Sequence, residues 1–252
     1  MAQAIIKGAI NKVVWADEIC VSNPHLEKLA LLRNQGVQLT TDNRKAAEYG
    51  NVVLLAVKPQ KLEEVLDGVD DLLEGKTVVS IVAGYSRAWM RERLPKSHII
   101  CVMPNTPLKL GKGATAITPM DDVPEKDYRF VSSIFLSAGG LFVVPAEKMN
   151  EIIPVNGSSP AFFFKITDIM AKEAAKRGID YNMAMMMVAQ TMAGSAEMLM
   201  KSGKTAEALT QEVCSPGGTT LAGLSAFEDM DIEAIFEETF RRCIDRAYEL
   251  GK

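Results

Sequence analysis

The chain has 252 residues, 48% of them hydrophobic and 24% charged, with a formal net charge of −4. That makeup supports one large or two modest globular domains, and with no Lys/Arg-rich run it argues against nucleic acid or an anionic membrane as the main partner. His25 and His98 lie far apart and the four cysteines lack CxxC spacing, so a His-rich metal site and a Ser-His-Asp triad have little support.

In chain order, MAQAIIKGAI (1–10) reads as the interior of a helix with no strand before it. EICVSN (18–23) is a short strand that stops at Pro24, and HLEKLALLRNQG (25–36) has helical apolar spacing up to Gly36. VVLLAVKP (52–59), KTVVSIVAG (76–84), HIICVMPN (98–105) and GLFVVP (140–145) are apolar strands. Between them KLEEVLDGVDDLL (61–73), SRAWMRERL (86–94) and EKDYRFVSSIFLSAG (125–139) read as helices. Apolar strands alternating with amphipathic helices predict right-handed βαβ units and a parallel sheet covered on both faces. Such sheets bind ligands at the carboxyl ends of their strands. SNP (22–24), AVKP (56–59) and MPNTP (103–107) all fall there. One proline would merely end a strand; three at one edge favour a ligand crevice.

From about Val155 the β-branched runs stop. SPAFFFKITDIMAKEAAKRG (159–178) predicts a helix with Ser159 as cap, Pro160 at its first position and Gly178 as its stop. YNMAMMMVAQTMAGSAEMLMKSG (181–203), TAEALTQEV (205–213) and DIEAIFEETFRRCIDRAYEL (231–250) predict three more. The methionines of 181–203 could suggest a soft-metal site, but they cover more than one face. A helix apolar most of the way round is buried in a core or between subunits. We therefore expect a helical domain that pairs with a second copy of itself.

VCSPGGTTLAGL (213–224) carries the chemistry. Pro216 ends one helix, Gly217 and Gly218 permit unusual backbone angles, and Thr219 and Thr220 stand where free N–H groups open the next. Such a start, with hydroxyls nearby, can hold a carboxylate or phosphate. SPGGTT followed by AGL, with AVKP, MPNTP and GSSPAFFF before it, resembles the pyrroline-5-carboxylate reductase family over nearly the whole chain.

The resemblance implies a Rossmann-type dinucleotide domain over 1–153 and an all-α dimerisation and substrate domain over 154–252. It implies reduction of 1-pyrroline-5-carboxylate to L-proline with NADPH, NADH being possible, in a homodimer or larger homo-oligomer. By the same resemblance Ser22 and Asn23 lie by the adenosine ribose, Asn43 also lines the cofactor site, and Ala56, Val57, Lys58 and Pro59 follow the dinucleotide. Ile81, Val82, Ala83, Met103, Pro104 and Asn105 flank the nicotinamide. Ser215, Gly218, Thr219 and Thr220 hold the substrate carboxylate, with the Thr220 hydroxyl as catalytic group near the ring nitrogen. In the family this group faces the partner's cofactor. Hydride transfer to an iminium-like ring mainly needs two reactants held close and aligned, so the lack of an acid–base constellation fits. No acidic residue follows EICVS, which leans towards NADP over NAD.

Some features depart from that pattern. A Rossmann domain opens with a strand and GxGxxG, or roughly GxGNMA in this family, and here Met1 and Ala2 match only the last two positions. This predicts an N-terminally truncated chain, with an internal Met as its start, an open slot in the sheet and a weakened cofactor site. Cys101 stands where Arg is usual, and Asn156 where Ser is usual. One rival is a β-hydroxyacid-type dehydrogenase, for which Lys165 is the candidate catalytic lysine. The other is a non-catalytic dimerising relative. No apolar run reaches the roughly 18 residues of a spanning helix and no signal-peptide layout is present, so a cytoplasmic setting with free thiols is expected.

Overall fold

The computed structural model describes residues 1–119 and 121–250. Contacts divide the chain into two compact units: Met1–Pro160 with the stretch from Arg242 onward, and Ala161–Arg241.

In the first unit, α1 (Ala2–Ala9) precedes β1 (Cys20–Ser22), α2 (Ala30–Asn34), β2 (Gln38–Thr40) and α3 (Asn43–Tyr49). Then come β3 (Val52–Leu55), α4 (Leu62–Asp67), β4 (Thr77–Ser80), α5 (Arg87–Arg93) and β5 (His98–Met103). β6 (Gly113–Pro119), α6 (Glu125–Leu136) and β7 (Gly139–Val143) complete it. β1 and β2 pair in parallel as a separate two-stranded sheet; β3 to β7 form a five-stranded sheet in sequence order.

Successive residues of the larger sheet serve opposite faces, as the two-residue period of a strand requires. Val78 and Ile99 pack with Leu62, Leu66, Met90 and Leu94 on one face. Val79 and Ile100 pack with Ala4, Ile5, Val131 and Phe135 on the other. Both faces are covered, which explains the unbroken apolar runs. A third cluster, with Ile10, Leu32 and Val37 at its centre, underlies β1 and β2.

The structure corrects several local expectations. The sheet is not wholly parallel: β6 runs antiparallel to β5. Only a short turn at Thr106–Leu110 joins them, too little for a parallel crossover. β2, α3 and β6 are elements the sequence patterns did not reveal. The expected helix over 61–73 is α4 followed by a separate turn at Asp70–Leu72. β6 and β7 approach so closely at their starts that a Cβ on Gly139 would lie 2.1 Å from the Gly113 carbonyl oxygen. Only glycine fits there.

The second unit contains most of α7 (Ser159–Ala175), then α8 (Tyr181–Lys201), α9 (Ala206–Val213), α10 (Thr219–Asp229) and the start of α11 (Ile232–Leu250). Ser159 does not cap α7: it lies within the helix, and its hydroxyl donates back to the Val155 carbonyl at 2.8 Å. The cap of α8 is Asp180, whose carboxylate accepts the Met183 N–H at 2.8 Å. Tyr181 donates to Asp168 at 2.9 Å and so ties α8 to α7. Ala184 is the one residue of α8 buried within the chain. No helix among the described residues is long and apolar enough to cross a membrane.

Candidate functional site

The expected cofactor residues follow the carboxyl ends of their strands. Ser22 is the last residue of β1, and its hydroxyl donates to the Asn43 carboxamide oxygen at 2.7 Å across 21 positions of sequence. The fold thus brings together two residues that only the family resemblance had linked. Asn23 forms a local turn, its side-chain oxygen accepting the His25 N–H at 2.8 Å. Arg44 comes next after Asn43, but its guanidinium grips both carboxylate oxygens of Asp71, at 2.8 and 2.7 Å, and donates to the Gly68 carbonyl. That pair holds the Asp71 carboxyl below its ordinary range, the Arg44 hydrogen bond being the main cause.

Ala56 to Pro59 leave the end of β3, and Ile81 to Ala83 leave β4. The Ile81 N–H still donates to the Leu55 carbonyl at 3.2 Å, which keeps the two exits side by side. Tyr85, a residue without a sequence signal, locks them together. Its hydroxyl donates to the Pro59 carbonyl at 3.0 Å, and its ring lies 4.5 Å from that of Trp89. Ser86 caps α5 by accepting the Trp89 N–H at 3.1 Å, which fixes that ring's helix.

Met103 ends β5, and Pro104 and Asn105 are buried. The Asn105 side-chain oxygen accepts the Ala114 N–H from β6 at 3.0 Å. Asn156 donates its amide to the carbonyls of Met103 and Ala114, at 2.7 and 3.1 Å. Cys101 lies two residues before Met103, and burial pushes its thiol up to about 11, which keeps it neutral at physiological pH.

In the second unit, residues 214–218 join α9 to α10, and Thr219 and Thr220 open α10. Gly217 adopts φ +68°, a left-handed angle suited to glycine. Gly218 is the N-cap of α10 and donates its N–H to the Ser215 carbonyl at 2.9 Å. A Cβ on Gly218 would lie 2.9 Å from the Ser215 carbonyl oxygen, so position 218 admits no larger residue without a backbone shift. No side chain caps α10. Its first amides are therefore open to an anion from outside, with the hydroxyls of Ser215, Thr219 and Thr220 beside them. Lys165, the candidate catalytic lysine of the hydroxyacid reading, is exposed on α7.

Comparison with known proteins agrees with this layout. Residues 146–250 match the family model for pyrroline-5-carboxylate reductase dimerisation. Residues 1–84 match the model for NADP oxidoreductase, coenzyme F420-dependent. The pyrroline-5-carboxylate reductase of Synechocystis sp. is 34% identical over 254 residues, spanning 100% of this chain and 95% of that protein. The structure of a pyrroline-5-carboxylate reductase from Coxiella burnetii superposes with a TM-score of 0.90 at 31% identity, covering 100% of this chain and 95% of that one. A Plasmodium falciparum pyrroline carboxylate reductase with NADP bound shares the fold, with a TM-score of 0.90 at 24% identity over 99% and 94% of the two chains. Coverage of 95% of the relatives' own length does not support the expected N-terminal truncation.

Proposed function

The chain belongs to the pyrroline-5-carboxylate reductase family, and from that premise we propose a role for each part of its site. It is an NAD(P)H-dependent oxidoreductase that reduces 1-pyrroline-5-carboxylate to L-proline, which completes proline biosynthesis. We assign residues 1–153 to dinucleotide binding and 154–252 to dimerisation and substrate binding, with NADPH the preferred form.

Ser22, Asn23 and Asn43 hold the adenosine ribose end. What supports this is the Ser22–Asn43 hydrogen bond, which sets a polar pair at the end of β1. Ala56 to Pro59 follow the dinucleotide, and Ile81 to Ala83 with Met103 to Asn105 flank the nicotinamide. These segments suit that role because they are strand exits, the ends of a sheet at which nucleotides bind. When bound, the nicotinamide supplies the hydride that the ring carbon of the imine accepts.

Ser215, Gly218, Thr219 and Thr220 hold the substrate carboxylate, and the Thr220 hydroxyl meets the ring nitrogen. The observation that carries this reading is the uncapped first turn of α10 behind a Gly-Gly loop in which Gly217 is left-handed and Gly218 lies against the Ser215 carbonyl. A carboxylate there gains both hydrogen bonds and the positive end of the helix dipole. Thr220→Ala is expected to lower turnover about tenfold to a hundredfold, the range for losing one hydrogen bond to a charged group. The melting temperature should stay unchanged. Full activity in that variant would remove Thr220 from the chemistry.

The match to a dimerisation model makes the chain a homo-oligomer, and we propose a homodimer built on the helical domain. Met183, Met186, Met187, Met198 and Met200 of α8 are exposed in the single chain, which suits a second copy lying against them. A reducing, cytoplasmic setting fits the four free cysteines.

A further inference from the structure

The antiparallel β5–β6 ladder runs out where Met103 pairs with Ala116. Continued in register, it would bring Asn105 opposite Ala114, with Pro104 between. Pro104 has no N–H to offer a ladder. Two carboxamides supply the missing rung. Asn105 takes the Ala114 N–H through its side-chain oxygen, and Asn156 gives its Nδ2 to the Ala114 carbonyl. The same Nδ2 also donates to the Met103 carbonyl at 2.7 Å, so one amide clasps both strands.

Asn156 sits in a wide turn, Ile153–Gly157, and is only 7% exposed. Its side-chain oxygen is buried without a hydrogen-bond partner. Rotating the carboxamide would not relieve this, because the oxygen would then face two carbonyl oxygens. An unpaired buried acceptor is costly, so this residue's contribution lies in the double donation.

We propose that Asn156 is a positioning residue for the nicotinamide end of the cofactor site, because its amide fixes where the Met103–Pro104–Asn105 backbone stands. The inference rests on the reading, given above, that this segment flanks the nicotinamide. Asn156 itself need not touch the cofactor.

The test compares two ligands that share the adenosine end, NADPH and 2′,5′-ADP, by titration of the full chain. Asn156→Ala should weaken NADPH binding about tenfold, inside the range that a pair of neutral hydrogen bonds spans, and leave 2′,5′-ADP within about twofold. Asn156→Ser, whose hydroxyl donates to one carbonyl, should fall between wild type and Asn156→Ala, and it carries the same comparison if the alanine variant does not fold. Equal losses for both ligands would mean a general structural role and would overturn the proposal. Unchanged NADPH binding in the Asn156 variants, alongside weakened binding in Asn105→Ala, would also overturn it while leaving the site reading intact. If Asn105→Ala and both Asn156 variants bind NADPH normally, the segment does not flank the nicotinamide, and the site reading fails together with this inference.

Discussion

Single residues brace the first unit through ion pairs that bridge distant segments. Arg44 holds Asp71, while Arg93 holds Asp67 and Asp70. The Asp70 carboxyl lies below its ordinary value, chiefly through the Arg93 hydrogen bond, and Asp71 likewise through Arg44. Carboxyls with lowered folded pKa values stabilise fully above the unfolded value and lose that contribution as pH falls through the folded one. Asp70→Asn and Asp71→Asn should therefore lower the melting temperature near neutral pH. The difference from wild type should close as pH drops below the ordinary carboxyl value of 3.8. A melting series from neutral to acid pH checks this, and a difference that persists unchanged at low pH would assign the effect to packing. None of these pairs was visible in the chain as written, because each joins residues whose separation in sequence carries no periodic signal. The Ser22–Asn43 contact was hidden for the same reason. SPGGTT was legible because its turn residues and its helix start are neighbours in sequence.

At the scale of elements, the long apolar runs were the readable part. β3, β4 and β5 pack on both faces, so their central residues are apolar on both sides. β6 escaped notice because GATAITP mixes small and polar residues, although Thr115 and Thr118 are buried in it. α3, NRKAAEY, is short and buries only Ala47, so it shows no apolar stripe. α4 is short too, yet Leu62 and Leu66 are fully buried at its inner face. Leu66→Ala should destabilise the first unit by about 2–5 kcal/mol, the usual range for emptying a buried leucine site. Chemical denaturation of the two forms measures it. A loss well under 1 kcal/mol would mean that the α4 contact with the sheet is much looser than the burial indicates.

For the whole molecule, the methionines of α8 show what a single chain leaves unfinished. Their pattern foretold burial, and within one chain they are mostly bare; Met186 is 70% exposed. A homo-oligomer resolves the conflict between pattern and exposure. Met186→Glu should leave the lone fold little changed, since the side chain is in water there, and should weaken self-association. Sedimentation velocity would show wild type as a dimer or larger species and the variant shifted towards monomer. An unshifted variant would place the interface elsewhere. The reaction itself is tested by mixing the purified chain with NADPH and 1-pyrroline-5-carboxylate and following both the loss of reduced nicotinamide and the appearance of L-proline. NADPH oxidation should depend on the cyclic imine and yield L-proline in equal amount, with no oxidation of small hydroxy acids when NADP+ is supplied. A folded chain that binds NADPH yet leaves the imine untouched would contradict the assigned reaction.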